Sequence, residues 1–162
     1  MRRLLFCVFV GAIFGVFGCK QQKPDDEWTV AAGSDNGFPL IVRMRTAIPA
    51  GIDTVQYSHL MAITWKYTPE TNGMPSKAES ARMDEFEHVI GVGIEAAREA
   101  VMATAVTCNG IREWHLYAKD ETAFMKALNT SLIGHPSYPI EIAHRIDPQW
   151  TAWRNFAQSM KR

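Results

Sequence analysis

The stretch VMATAVTCNGIREWHLYA, residues 101–118, predicts a β-hairpin at the centre of the fold. Its two halves, 101–108 and 111–118, contain many β-branched and aromatic residues, which favour strands. Asn109-Gly110 lies between them and accepts positive φ at both positions of a two-residue turn. A turn of this length fixes which residues of the two strands face each other.

This register sorts the hairpin side chains onto two faces of the predicted sheet. Thr104 opposes His115, and Thr107 opposes Arg112. The more apolar face carries Ala103, Ala105, Trp114 and Leu116. The more polar face carries Val106, Glu113, His115 and Tyr117. We expect the more apolar face to pack in the core and the more polar face to be more exposed to solvent.

Three further stretches show the patterns of strands. Asn36-Gly37 predicts a second hairpin, between strands at 28–32 and 40–44. Apolar residues alternate along Tyr57–Tyr67 and along Pro139–Ile146, which favours a strand in each.

Helices are predicted between and after these strands. Ser76 followed by Glu79 is typical of a capping box, and Asp120 can cap a second helix. Asp147-Pro148 predicts the start of a third helix, with Asp as N-cap and Pro in the first helical position. The inner face of this third helix is expected to carry Trp150, Trp153, Ala157 and Met160.

The resulting order, β-β-β-α-β-β-α-β-α, predicts an α+β fold with an antiparallel or mixed sheet and helices packed on one face. Its inner part, β-α-β-β-α-β, is the ferredoxin-like order, here preceded by extra N-terminal strands. We expect one domain over residues 28–162, since the pattern contains neither a repeat nor a second core.

The first residues have the character of an export signal. Arg2-Arg3 precedes an uncharged run over 4–17, which is shorter than the roughly 20 apolar residues that span a bilayer. Val16-Phe17-Gly18-Cys19 then resembles the bacterial lipobox. We expect a lipoprotein signal over 1–18, lipidated Cys19 and a linker over 19–27. An ordinary signal peptide and an uncleaved anchor are the alternatives.

A lipidated Cys19 predicts an exported protein held on a bacterial membrane by its acyl chains. Lys20 beside it favours the outer membrane, periplasmic side, in a Gram-negative cell. Cys7 is removed with the signal peptide and Cys19 carries lipid, so Cys108 has no cysteine with which to form an intramolecular disulfide. We expect Cys108 to be a buried or half-buried strand residue.

Charge argues against a nucleic-acid partner. The chain has 17 Lys and Arg against 17 Asp and Glu, and removing Arg2 and Arg3 with the signal leaves 15 against 17, a net charge of −2. A phosphate-binding surface needs a basic excess.

Several short sequence motifs, spread over roughly Trp28 to Phe156, resemble those of the bacterial family known as domain of unknown function 695. The more specific ones are Arg112-Glu113-Trp114 after the hairpin and Asp147-Pro148-Gln149-Trp150. The others are Trp28, Asn36-Gly37 with Pro39–Arg43, Gly73-Met74-Pro75, Asn109-Gly110-Ile111 and Tyr117. The resemblance implies no activity and no catalytic residues.

No motif predicts a catalytic centre, a metal site or a cofactor. The phosphate-binding loops, the His-Glu-x-x-His pair and the Cys-x-x-Cys pair are absent. Gly91-x-Gly93 favours close helix packing. None of the five histidines lies three or four residues from another, so only strand pairing could bring His59, His115 and His144 together.

The polar sheet side is the candidate binding face. Its predicted members are Arg43, Arg45, Glu113, His115, Tyr117, Glu141 and Arg145. Such a face is compatible with a solvated surface of ion pairs, with a binding site, or with acid–base catalysis. We expect a membrane-anchored, non-enzymatic domain that binds an unknown protein or small molecule. The alternative is a small hydrolase-like enzyme using Glu113 and His115.

Overall fold

The structure, a computed structural model, describes residues 27–159. The expected signal, Cys19, most of the linker and Met160 lie outside this part of the chain. Its elements are β1 (Trp28–Asp35), β2 (Phe38–Arg45), β3 (His59–Lys66), α1 (Lys77–Ile90), a π-helical turn (Gly91–Glu95), β4 (Ala100–Cys108), β5 (Ile111–Ala118), α2 (Glu121–Ser131), β6 (Ile140–Ile146) and α3 (Thr151–Ser159). This order confirms the predicted α+β fold.

All six strands form one antiparallel sheet in the order β1-β2-β4-β5-β3-β6. Both predicted hairpins are present, with positive φ at Asn36, Gly37, Asn109 and Gly110. The predicted register of the central hairpin is confirmed, because Thr104 pairs with His115 and Thr107 with Arg112.

A β-bulge interrupts this hairpin one residue beyond the predicted pairs. Met102 pairs with Leu116 and Thr104 with His115, so Ala103 is an extra residue in β4. A bulge shifts the following side chains by one position relative to the partner strand. The prediction that Ala103 shares a face with Trp114 was therefore wrong, and Ala103 packs on the opposite face, beside Tyr117.

The main core lies between one face of the sheet and the helices α1 and α2, and we call this side the α1/α2 face. Trp65, Trp114 and Phe86 are fully buried there and contact one another edge to face or tilted. Each indole nitrogen has a partner on α1, since Trp65 donates to Glu79 at 2.7 Å and Trp114 to Glu87 at 2.8 Å. These bonds fix the position of α1 on the sheet.

The predicted helix signals are also visible in this layer. Ser76 accepts a hydrogen bond from the backbone N–H of Glu79, and Asp120 accepts one from that of Ala123. Gly93 lies so close to α2 that a Cβ atom would come within 1.8 Å of the Ser131 hydroxyl, which confirms the packing interpretation of that glycine.

The helix α3 packs on the other side of the sheet, which we call the α3 face. Trp150 and Trp153 are buried there against Met44, Leu60, Val101, Ala103 and Tyr117. The prediction that all helices cover one face was therefore wrong. The reason is that the sheet has a second apolar patch around the buried Tyr117 ring, which must also be removed from water.

Asp147 joins α3 to the sheet. Its carboxylate accepts hydrogen bonds from the Tyr117 hydroxyl at 2.8 Å and from the backbone N–H groups of Thr151 and Ala152 at 2.8 and 3.0 Å. The helix begins at Thr151 and not beside Pro148, because Trp150 adopts a positive φ of 51° before it. Asp147 thus caps the helix as predicted, but from four residues away.

Candidate functional site

Five of the seven predicted binding-face residues lie on the α3 face. Glu113, His115 and Tyr117 alternate along β5, and Glu141 and Arg145 alternate along β6. The strand β3 runs between them, so that Leu60 pairs with both Tyr117 and Arg145, and Thr64 pairs with both Glu113 and Glu141.

Arg43 and Arg45 lie on the opposite face, so their predicted place beside Glu113 was wrong. Arg43 pairs across the sheet with Ala105, which belongs to the α1/α2 core, and forms an ion pair with Glu87. Arg45 is buried, forms an ion pair with Glu95 at 2.9 Å and donates to the Met102 carbonyl at 2.6 Å. Both arginines therefore form contacts within the α1/α2 face.

Tyr117 is also unavailable to a ligand. Its side chain is fully buried under α3, and its hydroxyl donates to Asp147. Burial and this hydrogen bond raise the pKa of Tyr117 well above its usual value, so the phenol stays neutral. The predicted binding face is thereby reduced to Glu113, His115, Glu141 and Arg145.

A cavity of about 290 Å³ lies on the part of the α3 face that α3 leaves open. Its lining residues are Leu60, Ala62, Glu113, His115, Ala143, His144 and Arg145. Ala62 and Ala143 pair with each other across β3 and β6, and their small side chains leave room above the sheet. Glu141 is not among the lining residues and forms an exposed ion pair with Lys66 at 2.7 Å.

Glu113 and His115 form a close pair on one side of this cavity. The His115 Nε2 atom lies 2.5 Å from Glu113 Oε1, and the Thr64 hydroxyl donates to Glu113 Oε2 at 3.0 Å. The hydrogen bond with His115 lowers the pKa of Glu113, which therefore remains a carboxylate at neutral pH. Phe156 of α3 covers the imidazole, with ring centroids 5.9 Å apart.

The second nitrogen of His115 is enclosed by protein. Nδ1 is buried and has no hydrogen-bond partner among residues 27–159, and neither does the hydroxyl of the facing Thr104. A general base must reach the proton that it removes. Because Nδ1 is enclosed and Nε2 contacts Glu113, this geometry makes the pair a rigid acceptor rather than an accessible base.

Arg145 stands on the other side of the cavity with its charge available. Its guanidinium forms no hydrogen bond or ion pair within the described chain, although it lies near enough to Glu113 to help lower the pKa of that carboxyl. Arginine binds carboxylate and phosphate groups through two parallel hydrogen bonds. The cavity thus offers one free cation, one fixed carboxylate and a small apolar floor.

Strand pairing brings together two of the three histidines that the sequence placed on strands. His59 and His144 contact each other on the α1/α2 side of β3 and β6, 3.0 Å apart, whereas His115 lies on the other face. Among the described residues, no group of three or more His, Cys, Asp or Glu side chains is arranged to hold a metal ion. Cys108 is free and half-buried, as predicted.

Comparison with known proteins identifies one family. The model of DUF695, described as a family of unknown function, matches residues 26–157. No curated protein and no solved structure matches the chain. In the part that the structure describes, no helix is long and apolar enough to cross a membrane.

The pairing of Glu113 with His115 predicts a stability difference between two glutamates of the same face. Glu113→Ala removes the one hydrogen-bond partner that a buried imidazole has among residues 27–159 and should lower the free energy of unfolding by about 1–3 kcal/mol. Glu141→Ala breaks only an exposed ion pair and should cost less than about 1 kcal/mol. Urea unfolding of both variants measures the difference, and equal losses would contradict the assigned role of Glu113.

Proposed function

The chain belongs to the DUF695 family, and we propose that its domain, residues 28–162, binds a ligand on the α3 face without catalysing a reaction. The observation that carries this proposal is the cavity between the Glu113–His115 pair and the unpaired Arg145 guanidinium. Ligand sites are typically concave and contain a few fixed polar groups on an apolar floor, as this cavity does.

The ligand that suits this cavity carries an anionic group. Arg145 is the one Lys or Arg among its lining residues, and its guanidinium forms no ion pair with any residue of the described range 27–159. The carboxylate of Glu113 would at the same time repel an anion placed on its side of the cavity. We therefore propose a small molecule or a protein segment that places a carboxylate or phosphate on Arg145 and a neutral or cationic part beside Glu113.

The alternative is a hydrolase-like enzyme that uses Glu113 and His115 for acid–base steps. The 2.5 Å contact between the two side chains favours it. The burial of His115 Nδ1 counts against it, because that nitrogen is enclosed by protein and the other, Nε2, is already engaged by Glu113. Turnover of any substrate that is lost in Glu113→Gln would overturn the non-catalytic proposal.

We further propose that residues 59–146 form a ferredoxin-like core. Support comes from the order β3-α1-β4-β5-α2-β6, from the placement of β3 and β5 between β6 and β4, and from the position of α1 and α2 on one face. The hairpin β1–β2 would then extend the sheet beyond β4, and α3 would be an addition that covers the opposite face.

We also propose that Cys19 carries lipid and holds the domain on the periplasmic side of a bacterial outer membrane. The proposal rests on the charged start, the uncharged run 4–17 and the Gly18-Cys19 end. Residues 19–27 would be the linker between the acyl chains and β1, and a partner in the membrane plane or the periplasm would have access to the cavity.

The ligand proposal is tested by adding small carboxylates, or the corresponding carboxamides, to the full chain in detergent. Binding is monitored through the NMR chemical shifts of the backbone N–H groups. We expect carboxylates to shift Ala62, Ala143 and Arg145, amides to have no effect, and Arg145→Gln to abolish the shifts. Arg154→Gln, on the exposed side of α3, is the matched control and should bind normally. Shifts that persist in Arg145→Gln would contradict the assignment.

The anchor is tested by metabolic labelling with a radioactive fatty acid and by membrane fractionation. We expect the wild type to be labelled and to sediment with membranes, and Cys19→Ser to lose the label. Cys108→Ser is the control and should be labelled normally. Equal labelling of Cys19→Ser would show that lipid is not attached at that residue.

A further inference from the structure

We propose that His59 and His144 form a two-imidazole binding site for a divalent ion of the zinc, nickel and copper group, with Glu121 as its positioning residue. The imidazoles lie on the sheet face opposite to His115, and His144 is the one residue that the site shares with the lining of the ligand cavity. It rests on three side chains from β3, β6 and the first turn of α2.

Strand pairing gives the two histidines their geometry. In β3 and β6, His59 pairs with Ile146 and Met61 pairs with His144, so the two imidazoles are diagonal neighbours on the α1/α2 face. Their rings are almost parallel, with an angle of 5° between the planes, and His59 Nδ1 faces His144 Nε2 at 3.0 Å. The contact is exposed, so an ion from solvent can reach it.

The distance between these nitrogens suits one shared metal ion. A metal–nitrogen bond of about 2.0–2.1 Å places two neighbouring ligand nitrogens about 2.9–3.4 Å apart, for angles between square-planar and tetrahedral. The observed 3.0 Å lies within that interval, but the nearly parallel rings face each other as in a hydrogen bond, so both imidazoles must turn for their lone pairs to converge on one ion. Imidazole nitrogens suit zinc, copper and nickel and not magnesium or calcium, which prefer oxygen. Water would fill the remaining positions.

Glu121 prepares His144 for this role. Its Oε2 atom lies 3.0 Å from His144 Nδ1, and an ionised carboxylate can only accept a hydrogen bond. The proton of a neutral His144 is therefore on Nδ1, and Nε2 presents its lone pair to His59. Metal-binding histidines usually have such a carboxylate on their second nitrogen, and its loss typically weakens metal affinity 10- to 100-fold. On binding, the metal would replace the proton between the two rings.

The test is calorimetric titration of the full chain in detergent with Ni²⁺ alone. We expect the wild type to bind one Ni²⁺ more than His59→Ala or His144→Ala. Glu121→Ala, which removes the acceptor, should keep that ion but bind it at least about 10-fold more weakly. His135→Ala is the matched control, because His135 also lies near a glutamate, Glu85, and has no second histidine. The cysteines are present in every variant and cancel in the comparison.

Two results would overturn the site. The first is equal stoichiometry and affinity in the wild type, His59→Ala and His144→Ala. The second is an equal loss in His135→Ala, which would mean that any surface histidine contributes. An unchanged affinity in Glu121→Ala would remove the positioning role alone. Circular dichroism confirms folding, and His144→Gln replaces His144→Ala if the alanine variant unfolds.

Discussion

The carboxylate of Asp147 fixes the point at which the chain leaves β6 and turns back over the sheet. It accepts hydrogen bonds from Tyr117 and from the first two residues of α3. Burial raises the pKa of Asp147, but the two backbone N–H groups and Tyr117 more than compensate, and the pKa lies below its usual value. Because a buried charge is tolerated only when it is hydrogen-bonded, α3 must dock where all of these donors meet.

This docking divides the α3 face into a closed and an open half. Trp150 stacks on Tyr117 with ring centroids 4.0 Å apart, and Trp153 donates to the Arg45 carbonyl, so the closed half is packed like a core. Farther along the helix, Phe156 lies on the imidazole of His115. The open half keeps Glu113 and Arg145 accessible beside the covered His115, which gives the candidate site a rigid wall and an exposed edge.

The features that the sequence predicts correctly are those that residues close together in the chain determine. Asn109-Gly110 sets the register of β4 and β5, so the pairing of Thr104 with His115 follows from the turn. The sheet face on which Arg43 lies depends on the pairing of β2 with β4, and no tight turn joins these two strands. The alternation of side chains along β2 alone allows Arg43 to lie on either face of the sheet. The bulge at Ala103 has no local signal. The contact of His59 with His144 joins residues 85 positions apart, and it needs the order of the strands.

The central claim is that α3, held by Asp147, closes one half of the α3 face and leaves the other half open. The most direct measurement compares thiol labelling rates of Ala103→Cys and Ala143→Cys in the folded full chain, read by mass spectrometry of the labelled peptides. Ala103 is fully buried and Ala143 is exposed. We predict fast labelling at position 143, protection at position 103, and loss of that protection when Asp147→Asn is added. Equal labelling rates at the two positions without that substitution would contradict the claim.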